Sequence, residues 1–270
     1  MRLSKPSTLL ASAVLAAGTA VVAAPALAAG TVAVTQTDLG ADWFTADTRA
    51  AGDLQFADVD GRGAALLSTT ASNADKVQLL TDRYDGVRLA DLTELRYTTY
   101  KLPTGGFVAG LPALNLRLDT NGDEVADSYL VYEPYQDQGN AAVLTGEWQT
   151  WDAVNDGDAV WWGSGPVAAA GCGQSADCTL DDVLALFPDA TITEVPDFPG
   201  SLGLNLGSSN PDISGAVDWL SVGVAGDTTT FDFGPRVWTK EDCKKGGWAT
   251  NFPGAYKNQG QCVSSFASGR

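Results

Sequence analysis

The run Asp119-Thr120-Asn121-Gly122-Asp123-Glu124-Val125-Ala126-Asp127 sets oxygen-bearing side chains at alternate positions. A hard cation such as Ca²⁺ gathers about six to eight oxygen ligands, and alternate acidic and amide side chains on a short loop can wrap one. Asp119, Asn121, Asp123 and Asp127 would give side-chain oxygens and Val125 a backbone carbonyl, which makes a structural calcium loop the expectation. The run departs from an EF-hand. Gly122 falls two places before the usual glycine, where Glu124 stands, and Leu130 occupies the place of the closing bidentate Glu. The competing reading is a plain hairpin loop, because Asn-Gly is a strong turn signal.

A second group is aromatic. Trp148, Trp151, Trp161 and Trp162 crowd one short stretch, with Tyr129, Tyr132 and Tyr135 just upstream. Side chains alternate across a strand, so Trp148 and Trp151 leave opposite faces, as do Trp161 and Trp162. One ring of each pair is free for the outer surface, where a flat amphipathic ring can stack on a sugar. All four tryptophans are therefore candidate carbohydrate-binding residues. The alternative is that loops or a helix cover them, as happens to most large aromatics.

Carboxylate catalysis would need two acids about 5–9.5 Å apart. Glu133 and Glu147 are the best candidates, but no dense acidic motif supports them, and Glu133 shares a strand face with Tyr129 and Val131 where Arg117 or Arg96 could pair with it. No catalytic residue is assigned. The chain contains no histidine, which removes Ser-His-Asp and Cys-His nucleophiles and His-ligated zinc.

Arg2 and Lys5, then an apolar run over residues 8–23, then Pro25-Ala26-Leu27-Ala28 form the basic, apolar and small-residue order of a secretory signal peptide. Cleavage is expected before Ala29, giving a secreted, extracellular product. No later stretch is apolar enough to span a bilayer, so no membrane insertion is expected after cleavage. The four cysteines, Cys172, Cys178, Cys243 and Cys262, suit disulfides in an oxidising compartment. Four allow three connectivities; proximity favours Cys172–Cys178 and Cys243–Cys262. The net charge of −17 opposes nucleic acid, whose phosphates need Lys and Arg.

These groups need positioning elements. From Thr31 to Gly234 the chain reads as short alternating runs broken by Gly, Asn, Asp and Pro. In Leu114-Asn115-Leu116-Arg117-Leu118 the leucines share one face and Asn115 and Arg117 the other, the mark of a half-buried strand. Many such runs predict a mainly β protein, a jelly-roll-type sandwich. One helix is predicted after Thr179, with Leu180, Val183, Leu184 and Phe187 on one stripe; it would lid one end of the sandwich. The expected organisation is signal peptide 1–28, sandwich 29–235 and a small disulfide-bonded module 236–270.

The tail, with Cys243-Lys244, Gly246-Gly247-Trp248, Phe252, Lys257-Asn258-Gln259-Gly260 and Cys262-Val263-Ser264, resembles a two-cysteine module at the C-termini of secreted bacterial surface proteins. The body, through the stretches Leu116–Pro134 and Val217–Gly234, resembles secreted bacterial proteins of no assigned activity with concanavalin-like or jelly-roll sandwiches. That resemblance implies a carbohydrate- or surface-binding context and no catalytic residues. The functional expectation is non-catalytic binding of an extracellular or cell-wall polysaccharide. The alternatives are a surface-associated structural or adhesion protein, and a carboxylate-dependent glycoside hydrolase or lyase.

Overall fold

The computed structural model describes residues 30–154, 157–250 and 255–267; the signal segment and its cleavage site lie outside them. Among these residues the strands form two sheets. One has seven strands: β1 (Gly30–Val34), β15 (Asp227–Phe233), β14 (Ser214–Val224), β4 (Arg62–Ser68) and β3 (Asp53–Val59) in that order, with β6 (Leu92–Lys101) also beside β14 and β9 (Trp148–Asp152) beyond β6. The other has eight. Its order is β11 (Cys178–Thr179), β10 (Val160–Gly163), β8 (Ser128–Tyr132), β7 (Ala113–Asp119), β13 (Leu202–Gly207), β5 (Lys76–Thr81) and β2 (Trp43–Phe44), with β12 (Thr191–Ile192) also on β7.

Period-2 alternation decides what lies between the sheets. Leu114, Leu116 and Leu118 of β7 join Leu202, Leu204 and Leu206 of β13 in one buried core. The seven-stranded sheet meets them with Leu95, Tyr97, Val217, Leu220, Phe231 and Phe233. Each such side chain taken from water stabilises the fold by about 1.5–3 kcal/mol. The protein is thus the mainly β sandwich its strand pattern predicts.

Among the described residues five short α-helices accompany the strands: α1 (Pro134–Gln138), α2 (Gly165–Ala169), α3 (Leu180–Leu186), α4 (Gly247–Thr250) and α5 (Gln259–Ala267). The predicted helix is α3. The Thr179 hydroxyl accepts the Asp182 N–H while the Asp182 carboxylate takes the Thr179 N–H, a reciprocal cap. Leu180 and Val183 are buried in the core, and Leu184 and Phe187 pack against it. The Cys172–Cys178 disulfide closes the loop that leads into α3. A second disulfide, Cys243–Cys262, ties a 3₁₀ turn at Lys240–Cys243 to α5. Arg236 connects this region internally, pairing with Asp242 and lying 4.1 Å over the Trp238 ring. Among the described residues no helix is long and apolar enough to cross a membrane.

Candidate functional site

Because the β7 leucines turn to the core, Asn115 and Arg117 point out of the eight-stranded sheet, yet both are buried. The segment after Val195 provides the cover of Arg117. Carbonyls of Phe198 and Gly200 accept from the Arg117 guanidinium, the second at 2.6 Å. Arg117 is 4 % exposed, with no carboxylate at ion-pair distance of its guanidinium among the described residues. Burial pulls its pKa below the ordinary value.

Neighbouring strands extend this outer face. Tyr129 and Val131 project from β8 and Glu133 follows them; Trp162 of β10 lies opposite Val131. The Trp162 indole N–H donates to Glu133 Oε2 at 2.8 Å. The same oxygen accepts from the Tyr135 hydroxyl at 3.2 Å and the Gln136 amide at 2.8 Å. Burial raises the Glu133 pKa, and the Trp162 and Tyr135 donations offset this only in part. From the other side β5 brings Lys76, and β13 brings Asn205 and Gly207. Gly207 adopts a φ of 88°, and a Cβ there would meet the Asp75 carbonyl oxygen at 2.2 Å, so the wall stays bare backbone.

Between these residues lie two cavities of about 320 and 270 Å³ that share Lys76, Asn115 and Tyr129 in their linings. Together they form a groove along the sheet. Tyr129 is 44 % exposed in it, Trp162 is half-buried, and the Asn115 side-chain carbonyl oxygen is buried without a hydrogen-bond partner. Such an orphan acceptor costs stability unless something donates to it. Arg49, Lys76 and Arg117 bring positive charge, and Asp47 answers Lys76 at 2.5 Å and Arg49 at 3.6 Å. In a chain of net charge −17 this is a locally basic place.

The four tryptophans separate. Trp151 and Trp161 are core residues: their N–H groups donate to the Thr99 hydroxyl at 2.7 Å and the Ala153 carbonyl at 2.9 Å. Neither ring is open to a sugar, which corrects their place among the carbohydrate-binding candidates. Trp162 faces the groove. Trp148 is half-buried on the outer face of the opposite sheet, against Tyr100 at 5.3 Å. Glu147 is exposed just before β9 of that sheet, whereas Glu133 belongs to the eight-stranded side. Nor does Glu133 pair with arginine: Arg96 is bound to Asp152 at 2.5 Å, and Arg117 is engaged by carbonyls.

The Asp119–Asp127 loop joins β7 to β8 and is closed by its own hydrogen bonds. Asp119 accepts the N–H groups of Asn121, Gly122 and Glu124 at 2.7–2.9 Å. Asp127 accepts from the Thr120 hydroxyl and the Asn121 amide. Asn121 and Asp123 take the N–H groups of Asp123 and Val125 at 3.0 and 3.1 Å. Among the described residues no three acidic, cysteine or histidine side chains come together as a metal cluster. A carboxylate offers about four lone-pair sites, so Asp119 and Asp127 have little left for a cation while Asp123 has most of its capacity spare.

The sequence did place Asn115 and Arg117 on one polar face; it carried no signal that the segment after Val195 would fold over Arg117. Lys76 and Asn205 reach the groove from distant parts of the chain through β5 and β13. Comparison of the chain with family models, with curated proteins and with solved structures finds no match.

Proposed function

We propose that this protein is exported and binds an extracellular polysaccharide in the groove of the eight-stranded sheet without cleaving it. The carrying observation is the Trp162 ring fixed by Glu133 beside the exposed Tyr129. Aromatic faces of this kind suit the apolar faces of sugar rings, and a few placed polar groups fix orientation. Arg49, Lys76 and Arg117 favour a polymer bearing carboxylates, by charge complementarity. A non-catalytic role is supported by the separation of Glu133 and Glu147 onto different sheets. Export is supported by the order of residues 1–28, and the two disulfides fit an oxidising compartment. Calcium at Asp119–Asp127 belongs to the same proposal as a structural ligand, supported by the oxygen spacing and the spare capacity of Asp123.

Affinity electrophoresis through gels containing polygalacturonate, alginate, β-glucan or mannan tests the reading. Retardation by a uronate polymer, reduced in Tyr129→Ala and Trp162→Phe, is the expected result, with no reducing ends or unsaturated products released. Product release stopped by Glu133→Gln would move the protein to the hydrolase or lyase class. Equal mobility of wild type and both variants in every gel would remove the groove reading and leave a structural or adhesive role.

A further inference from the structure

The outer face of the seven-stranded sheet carries a feature that the groove does not use. On β14, the three steps from Asp218 to Ser221 lie opposite two steps of β6, from Thr98 to Arg96. One extra residue is therefore inserted, a β-bulge, and bulges re-aim side chains. Val217 before it and Leu220 after it both face the core. The inserted Trp219 is thrown outward, 52 % exposed, with a φ of 51°. A bulky residue seldom adopts positive φ, so the backbone here suits glycine far better than tryptophan. Packing does not account for the choice, because the ring stands in solvent.

The surroundings do. β14 changes partners at this point, pairing with β4 up to Val217 and with β15 from Leu220. A cavity of about 470 Å³ opens there, lined by Trp219, Asp218, Asp232, Arg62, Thr98 and Thr150 among others. Asp218 is only 3 % exposed, its Oδ1 accepts the Trp219 backbone N–H at 2.8 Å, and it lines the same cavity as the ring. Thr98 and Thr150 pair through their hydroxyls at 2.9 Å. Arg62 lies over the Trp148 ring at 5.1 Å.

We propose that this cavity is a second carbohydrate site, on the side of the sandwich opposite the groove, that takes an uncharged pyranose residue. Its C–H face would stack on Trp219, and its hydroxyls would donate to Asp218 and Asp232 and exchange hydrogen bonds with Thr98 and Thr150. Two carboxylates against one arginine that is already placed over a ring disfavour uronates and sulfated sugars. The assignment stands on the bulge and the cavity and does not depend on the groove.

The experiment is affinity electrophoresis in mannan, xylan and β-glucan gels, with polygalacturonate as the charged comparison. Four proteins are compared: wild type, the groove variant Trp162→Phe, Trp219→Gly and Asp218→Asn. At least one neutral polymer should retard wild type and Trp162→Phe alike. Trp219→Gly should weaken that retardation tenfold or more while melting at the same temperature or higher, since glycine suits the local backbone. Asp218→Asn should weaken it too, and neither variant should change mobility in polygalacturonate. No retardation by any neutral polymer, or undiminished retardation of Trp219→Gly, would overturn the proposal. A groove failure appears separately, as loss of uronate retardation in wild type.

Discussion

The indole N–H of Trp162 and Oε2 of Glu133 are 2.8 Å apart, joining the start of α1 to the neighbouring strand β10. This bond fixes the plane of the groove's aromatic ring and gives a buried carboxylate one of its three donors. Glu133→Gln should keep the fold, because an amide oxygen can still accept. Glu133→Ala leaves three half-buried donors without this acceptor and should cost about 1 kcal/mol or more. The raised Glu133 pKa has a sign: stability it confers is complete below the unfolded value near about 4.3 and is lost as pH rises through the folded value. Urea melts across that range should show a shallower fall for Glu133→Gln.

Trp151 and Trp162 make opposite forecasts. Trp151 is buried against the Thr99 hydroxyl, so Trp151→Ala should cost about 3–5 kcal/mol through the cavity it leaves. Trp162→Ala removes a half-buried ring and should cost distinctly less while abolishing retardation by the polysaccharide. Denaturation midpoints measured beside gel mobility check both. Equal destabilisation by the two variants would count against the assignment of faces.

Parity in the sequence stated that Trp148 and Trp151 diverge, but not which one turns inward. That phase comes from β6: Trp151 lies opposite Tyr97, a core residue, and Trp148 opposite Tyr100. Cross-strand register is tertiary information, absent from a local pattern. Features set by neighbouring residues were legible: the β7 leucines, the Thr179 cap of α3 and both disulfide pairings. The groove was legible only in pieces, since Asn115, Lys76 and Asn205 meet through sheet order. The Trp219 bulge was hidden for the same reason, because an inserted residue is visible only against the strand beside it.

Asp218 should leave a signature in acid. Burial raises its pKa to about 6, against the N–H donation of Trp219. Between about pH 4 and 6 the folded state holds a proton that the unfolded chain has released, so stability falls as pH rises through that window. Asp218→Asn should flatten this part of the stability curve and melt no lower than wild type at pH 7. Asp85 rises to about 6 as well, chiefly by burial, and keeps its slope in that variant. The measurement is therefore the difference between two melting series from pH 3.5 to 7.5. Identical slopes would place the Asp218 carboxyl in water.

The Asp119–Asp127 loop allows its hydrogen bonds and its cation to be tested apart. Burial acts to raise the Asp119 pKa, but N–H donation from Gly122, Asn121, Glu124 and Asp123 outweighs it and holds the carboxylate below its ordinary range. Asp119→Ala removes the acceptor for those amides and should destabilise the protein whether or not calcium is present. Asp123 accepts from Val125 alone among the described hydrogen bonds, so Asp123→Ala should matter mainly through a bound cation. With calcium bound, EDTA should lower the melting temperature of wild type and leave Asp123→Ala unmoved. A native-state ligand at a hundredfold excess over its Kd stabilises by about 2.7 kcal/mol, a shift readily seen in a thermal scan. Wild-type melts that coincide in EDTA and in millimolar calcium, with Asp119→Ala still destabilised, would reduce the loop to a turn closed by its own side chains.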